Sequence, residues 1–164
     1  MSIVLVGRDA EMSLLRERAG QARRGRGGAL VIRGEPGIGK TALLNTVPEH
    51  ADGMRVLRAT GVESESRLPY AAIHQLFFPL AAEISRPELR AALGLEKGLN
   101  PDLYAVARAT LEFVVDMAPV VLVLDDLHWF DEARGLRPLV FVSWRIVMRS
   151  LGTRRVALLS LIHI

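Results

Sequence analysis

The residues Gly34-Glu35-Pro36-Gly37-Ile38-Gly39-Lys40-Thr41 place three glycines, a lysine and a hydroxyl in the spacing GxxxxGK[ST]. Glycine lacks the Cβ that would clash when successive backbone N–H groups turn inward. A loop of this kind can therefore wrap phosphate oxygens, while the helix after it aims its positive end at them. In that arrangement Gly34, Glu35, Pro36, Gly37, Ile38 and Gly39 form the cradle, Lys40 neutralises the β and γ phosphates, and the Thr41 hydroxyl ligates Mg²⁺. The bland alternative is a glycine turn that happens to precede a lysine. Lys40 and Lys97 are the only lysines in the chain, and chance matches number on the order of 10⁻³ by frequency multiplication over the fixed positions. The motif reads as a nucleotide phosphate loop.

Such a loop holds magnesium poorly alone, so a carboxylate is expected at the C-terminal end of a neighbouring buried strand. Asp125 meets that requirement, following the apolar run Val120-Val121-Leu122-Val123-Leu124. It is assigned to Mg²⁺ through a coordinated water, and Asp126 is assigned to holding or activating the attacking water, with Lys40 as its catalytic partner. The competing reading is that Asp125-Asp126 starts a turn and caps the next helix. His128 beside Trp129 reads as packing, and His50, His74 and His163 lack ligand spacing.

These residues need a scaffold. Glu11 to Arg24 carries apolar positions at near-helical spacing, with Asp9 as the expected N-cap. Ala29 to Ile32 reads as a strand buried on both faces, and Lys40 to Leu44 as a helix that ends before Pro48. Met54 to Ala59 reads as a second strand, ended by Gly61. Helices are expected over Tyr70 to Ala82, Pro87 to Leu93, and Pro101 or Asp102 to Met117. Val120 to Leu124 is the clearest strand, a helix is expected over much of Glu132 to Ser150 despite Gly135 and Pro138, and Val156 to Leu161 reads as the last strand. Strands alternating with helices predict an α/β fold with a mostly parallel sheet.

The chain of 164 residues is 50% apolar and 24% charged, a globular composition. It has no cysteine, which excludes disulfides and thiolate zinc sites and favours a reducing, cytoplasmic setting. Its strongest apolar run, Pro119 to Leu124, is far short of the ~20 residues that cross a bilayer, and the N-terminus does not read as a signal peptide. The net charge of +3 is mild. Its one dense basic cluster, Arg23, Arg24 and Arg26, reads as a solvated loop in preference to a phosphate-contacting DNA patch, because no aromatic residues are interleaved for base stacking.

Three blocks together resemble the nucleotide-binding domain of the LuxR-type large ATP-binding transcriptional regulators, within the signal-transduction ATPases with numerous domains and the AAA-like branch of P-loop proteins. They are Leu5-Val6-Gly7-Arg8-Asp9-Ala10-Glu11, Gly28 to Leu44, and Val120 to Glu132 with its Asp-Asp-Leu-His-Trp-Phe-Asp-Glu ending. The segment Leu68 to Leu76 is also similar to the family's linking helix. The resemblance implies a P-loop NTPase three-layer sandwich that binds ATP and Mg²⁺, with the backbone around Val6, Gly7 and Arg8 packed near the adenine. It implies a switch in which ATP and an inducer favour a self-associating form, and a distant C-terminal helix-turn-helix, outside these residues, acts on DNA. The family's Arg-containing sensor segment has no counterpart here. Residues 1–159 accordingly read as a partial AAA-like ATP-binding domain incomplete at its C-terminus, and 160–164 as a truncation or foreign tail. The implied missing strand would leave the edge of the phosphate-loop strand open. Alternative functions are a nucleotide-binding module without turnover and a P-loop small-molecule kinase, with Arg86, Arg90 and Arg108 as its candidate phosphate-binding arginines.

Overall fold

The computed structural model describes residues 6–130 and the backbone of 156–162. The elements run α1 (Asp9–Arg23), β1 (Gly28–Arg33), α2 (Lys40–Asn45), β2 (Arg55–Thr60), α3 (Ala71–Phe77), α4 (Pro87–Ala92), α5 (Leu103–Asp116), β3 (Val120–Asp125) and β4 (Val156–Ile162). Short 3₁₀ turns occur at Val47–His50, Phe78–Glu83 and Leu127–Trp129, among others. The helix expected within Glu132 to Ser150 lies outside the described residues.

The four strands form one sheet in the order β1-β4-β3-β2, with every neighbouring pair parallel. Strand β3 is central and buried throughout, so its pleat sends side chains into two cores. Val120, Leu122 and Leu124 pack with Ile73, Phe77, Leu89, Val106 and Phe113 from α3, α4 and α5. Val121 and Val123 pack with Leu15 and Ala22 of α1 and with Leu43, Leu44 and Val47. Helices thus cover both faces, giving the expected α/β three-layer sandwich. Full burial of an aliphatic side chain is worth roughly 1.5–3 kcal/mol, which is why the continuous apolar run of β3 could be read without ambiguity.

Several boundaries differ from the sequence reading. Arg8, not Asp9, occupies the N-cap position of α1, and it makes no side-chain cap. Asp9 is already helical and lies in the first turn, where its charge suits the helix dipole. Strand β1 alternates between half-buried and exposed positions. It is an outer strand of the described sheet, so Leu30 and Ile32 pack against the α1 side, while Val31 on the other face stays 36% exposed. The expected helix from Tyr70 to Ala82 breaks after Phe77, and the Phe78–Glu83 turn that follows carries Pro79 and a non-helical Leu80. Proline has no N–H to continue the ladder. In α5 the Asp102 side chain accepts from Ala105 N–H at 2.8 Å, capping the helix that leads down to β3.

Candidate nucleotide-binding site

The loop after β1 leaves the sheet at Gly34 and enters α2 at Lys40. Gly37 and Gly39 adopt φ values of +79° and +88°, a left-handed backbone costly for other residues. The Lys40 side chain folds back into the loop: its Nζ donates to Gly34 O at 2.8 Å and to Glu35 O at 2.7 Å. Lys40 is buried, whereas Glu35, Pro36, Gly37, Ile38 and Gly39 are exposed, as is Thr41 in the first turn of α2. A cation is thereby stored behind a solvent-facing curve of backbone.

At the end of β3, Asp125 is buried at 9% exposure, and one carboxylate oxygen, Oδ1, accepts from Asp126 N–H at 3.0 Å. Asp126 adopts φ +48°, ψ +47°, turning the chain sharply into the Leu127–Trp129 turn. The pair does start a turn, but the Asp126 side chain makes no capping hydrogen bond there. His128 and Trp129 have ring centroids 4.8 Å apart in a tilted arrangement, which agrees with packing.

Two features of this end were missed in the sequence. Gly61 N–H donates to Asp125 O at 2.9 Å, and a Cβ built on Gly61 would lie 2.2 Å from Asp126 O and 3.0 Å from Trp129 Cβ. Gly61 is therefore required by close approach. The only signal for it in the sequence was a glycine directly after a strand.

The second concerns Arg8. Its Nη2 donates to Ile38 O at 2.8 Å, and its Nη1 pairs with Glu11 at 2.6 Å. The hydrogen bond from Arg8 holds the Glu11 carboxyl below its ordinary pKa of 4.5. A side chain from the N-terminal box thus grips the apex of the glycine loop, a role that the backbone-only expectation for Val6, Gly7 and Arg8 did not include. Val6 is 91% exposed and Gly7 has φ +73°. Between α1, β1 and the loop lies a cleft of about 240 Å³, with Arg8 and Lys40 as polar walls and Leu14, Leu30 and Ile38 as apolar ones. That is below the ~300 Å³ at which small-molecule pockets usually begin.

The strand order brings the two motifs to the same end of the sheet, on β1 and β3 with β4 between them. Two interstrand spacings separate their bases by roughly 10 Å. Among the described residues no group of three or more His, Cys, Asp or Glu side chains converges on a common point. The Thr41 hydroxyl and the Asp125 carboxylate are hard oxygen donors of the kind that could hold Mg²⁺.

The other candidates fall elsewhere. Arg23, Arg24 and Arg26 are exposed at and just past the C-terminal end of α1, with Arg23 Nη2 donating to His50 O at 3.3 Å. Arg86 pairs with Asp116 and Glu112, Arg90 with Glu96, and Arg108 with Glu112 and Glu88. The Asp116 hydrogen bond raises the Arg86 pKa above its ordinary value. These arginines brace α4 and α5, as an exposed helix face would. No helix among the described residues is long and apolar enough to cross a membrane.

A parallel sheet between helical layers, with a glycine-rich lysine loop at the same end as a buried acidic strand terminus, defines a P-loop nucleotide-binding domain. The chain belongs to the AAA ATPase domain family, whose sequence profile matches residues 4–137. Membership implies nucleotide binding. The fold is similar to the ORC2 protein of Aeropyrum pernix, solved as ADPNP-ADP complexes, at 20% identity and a TM-score of 0.63 over 97% of this chain and 41% of that one. It is also similar to a chain of Drosophila ORC bound to DNA, at 16% identity and a TM-score of 0.52 over 100% of this chain and 47% of that one. The chain spans less than half of either relative. None of the curated proteins matches it.

Proposed function

We propose that this chain is the ATP- and Mg²⁺-binding switch module of a larger cytoplasmic regulator of the LuxR type. The observation that carries the nucleotide reading is the Lys40 ammonium, held on Gly34 O and Glu35 O inside the glycine loop. An arriving phosphate offers charged oxygens in place of two neutral carbonyls, and charge-assisted hydrogen bonds are about twice as strong. The loop N–H groups line the remaining phosphate oxygens, Ile38 and the α1 side of the cleft shelter the base near Val6, Gly7 and Arg8, and Thr41 and Asp125 hold the metal. Mg²⁺, when bound, neutralises negative charge on the phosphates. Asp126, set one residue beyond Asp125 by its left-handed turn, orients a water and accepts its proton.

The regulatory part of the proposal rests on the three sequence blocks and the Leu68-to-Leu76 segment. In the parent protein an inducer and self-association would act on this module, and DNA would be bound through a helix-turn-helix elsewhere in the chain. Binding and turnover are separable. Fluorescent mant-ATP binding to the 164-residue chain, with and without Mg²⁺, tests the first. Phosphate release by wild type and Asp126→Asn tests the second, with at least a ~10² difference expected from loss of a general base. Binding with equal background release from both proteins reassigns the module to nucleotide binding without turnover, and transfer of phosphate to an added alcohol would instead identify a kinase.

A further inference from the structure

Strand β2 is an outer strand of the described sheet, so the peptide groups on its free side need partners other than a strand. At its last residue they meet a side chain. Gln75 Oε1 accepts from Thr60 N–H at 2.8 Å, and Gln75 Nε2 donates to Thr60 O at 3.0 Å. A carboxamide carries the same donor and acceptor as a peptide unit, so α3 completes the ladder at this point as an additional strand would. Gln75 Nε2 also reaches Glu65 Oε2 at 3.2 Å.

The position of this clamp matters more than its presence. Thr60 stands opposite Asp125 in the β2–β3 ladder. The next residue, Gly61, donates to Asp125 O at 2.9 Å and is so close to Asp126 O that a methyl group would not fit between them. The Thr60–Gly61 peptide is thus gripped by Gln75 on one side and seats the Asp125–Asp126 backbone on the other. We propose that Gln75 is a positioning residue for the Asp125–Asp126 carboxylates: it fixes the edge against which the end of β3 is seated, and so sets the geometry offered to Mg²⁺ without touching nucleotide.

This inference rests on the Mg²⁺·nucleotide reading above, and its test separates the two. The 164-residue chain is titrated with mant-ATP in Mg²⁺ and in EDTA, and the ratio of affinities gives the gain due to metal. For Gln75→Met that gain falls by about fivefold, somewhat less than the ~10-fold typical of direct partners of a metal ligand, while affinity in EDTA stays within about twofold of wild type. Exchange of the Thr60 and Gly61 amide protons accelerates in the same variant. Gln75→Glu keeps the acceptor for Thr60 N–H but sets a carboxylate oxygen against Thr60 O and the Glu65 carboxylate, so its metal-dependent gain falls at least as far as that of Gln75→Met. Glu65→Gln leaves the Thr60 clamp intact and matches wild type.

A merely structural role would lower both affinities together or leave the metal-dependent gain unchanged, and either result in Gln75→Met overturns the proposal. Should that variant not fold, Gln75→Glu carries the same test: a metal-dependent gain equal to that of wild type overturns the proposal. A wild-type chain that does not bind mant-ATP at all sinks the nucleotide reading and this proposal with it; binding with no Mg²⁺-dependent gain overturns this proposal and leaves nucleotide binding standing, and amide exchange at Thr60 reports in either case whether the clamp exists.

Discussion

Replacing Gly61 by alanine isolates the contact between the ends of β2 and β3. The added Cβ would sit 2.2 Å from Asp126 O, against about 3.3 Å for a close carbon–oxygen approach, so roughly 1 Å of separation must be found. Neither partner yields cheaply. Asp126 O already accepts from Trp129 N–H at 3.0 Å, and Gly61 N–H is held by Asp125 O at 2.9 Å. Overpacking of this kind costs about 1–3 kcal/mol, and a lost ladder hydrogen bond adds roughly 1 kcal/mol, for a total of about 2–4 kcal/mol. With a urea m-value of about 2 kcal/mol/M, the unfolding midpoint should fall by about 1–2 M. Gly53→Ala is the control. Gly53 has φ +71° with nothing within 4 Å of a built Cβ, so its substitution carries only backbone strain of about 1–2 kcal/mol. The metal-dependent gain in mant-ATP affinity should collapse in Gly61→Ala and survive in Gly53→Ala. A Gly61→Ala protein that equals Gly53→Ala in midpoint and retains its metal response would refute the close-approach argument.

Two further outcomes follow from the same geometry. Lys40→Met should lower ATP affinity by about 10- to 100-fold, the worth of charge-assisted hydrogen bonds, with little change in the urea midpoint, because Gly34 and Glu35 lie in a solvent-facing loop; calorimetric titration checks the first and urea unfolding the second, and undiminished affinity would remove Lys40 from the site. For Glu11, whose pKa is held below 4.5 by the hydrogen bond from Arg8, the stabilisation is present above the unfolded pKa and is lost as pH falls through the depressed folded one, with no change near neutrality. In Arg8→Ala the Glu11 midpoint, followed by NMR, should move upward, and an unmoved midpoint would show that Arg8 does not govern it.

What was legible in the sequence tracks how local its physical cause is. The glycine loop was readable because its constraint is carried by its own residues, with Gly37 and Gly39 supplying the left-handed backbone that turns it. Strand β3 was readable because a run buried on both faces must be apolar at every position. Burial of β1 was misjudged for the converse reason. Ala29 to Ile32 is just as apolar, but whether Val31 is covered depends on what stands beside the strand, and a local pattern does not contain that. The break after Phe77 was signalled by Pro79, but proline tolerated in a first turn looks the same as proline ending a helix. Gly61, Gln75 and the Arg8 side chain escaped notice because each acts on a partner distant in sequence: Asp126, Thr60 and Ile38.

The intervening strand explains why the site keeps its charges available. If β1 and β3 were neighbours, their ends would stand about 5 Å apart. A buried ammonium and a buried carboxylate at that range attract strongly and would neutralise one another, leaving little for a ligand. With β4 between them, Lys40 satisfies itself on the neutral carbonyls of its own loop, and among the described residues Asp125 accepts a backbone N–H from Asp126. Both partners are weaker than the ones a metal-bound phosphate would offer, so each charge is held in place yet can be exchanged. The ladder from Gly28 to Arg33 with β4 and from Val120 to Leu124 with β4 is therefore part of the site's chemistry as well as of its fold. Proline substitution within β4, by removing donors from that ladder, should impair nucleotide binding even though no candidate ligand-contacting residue is changed.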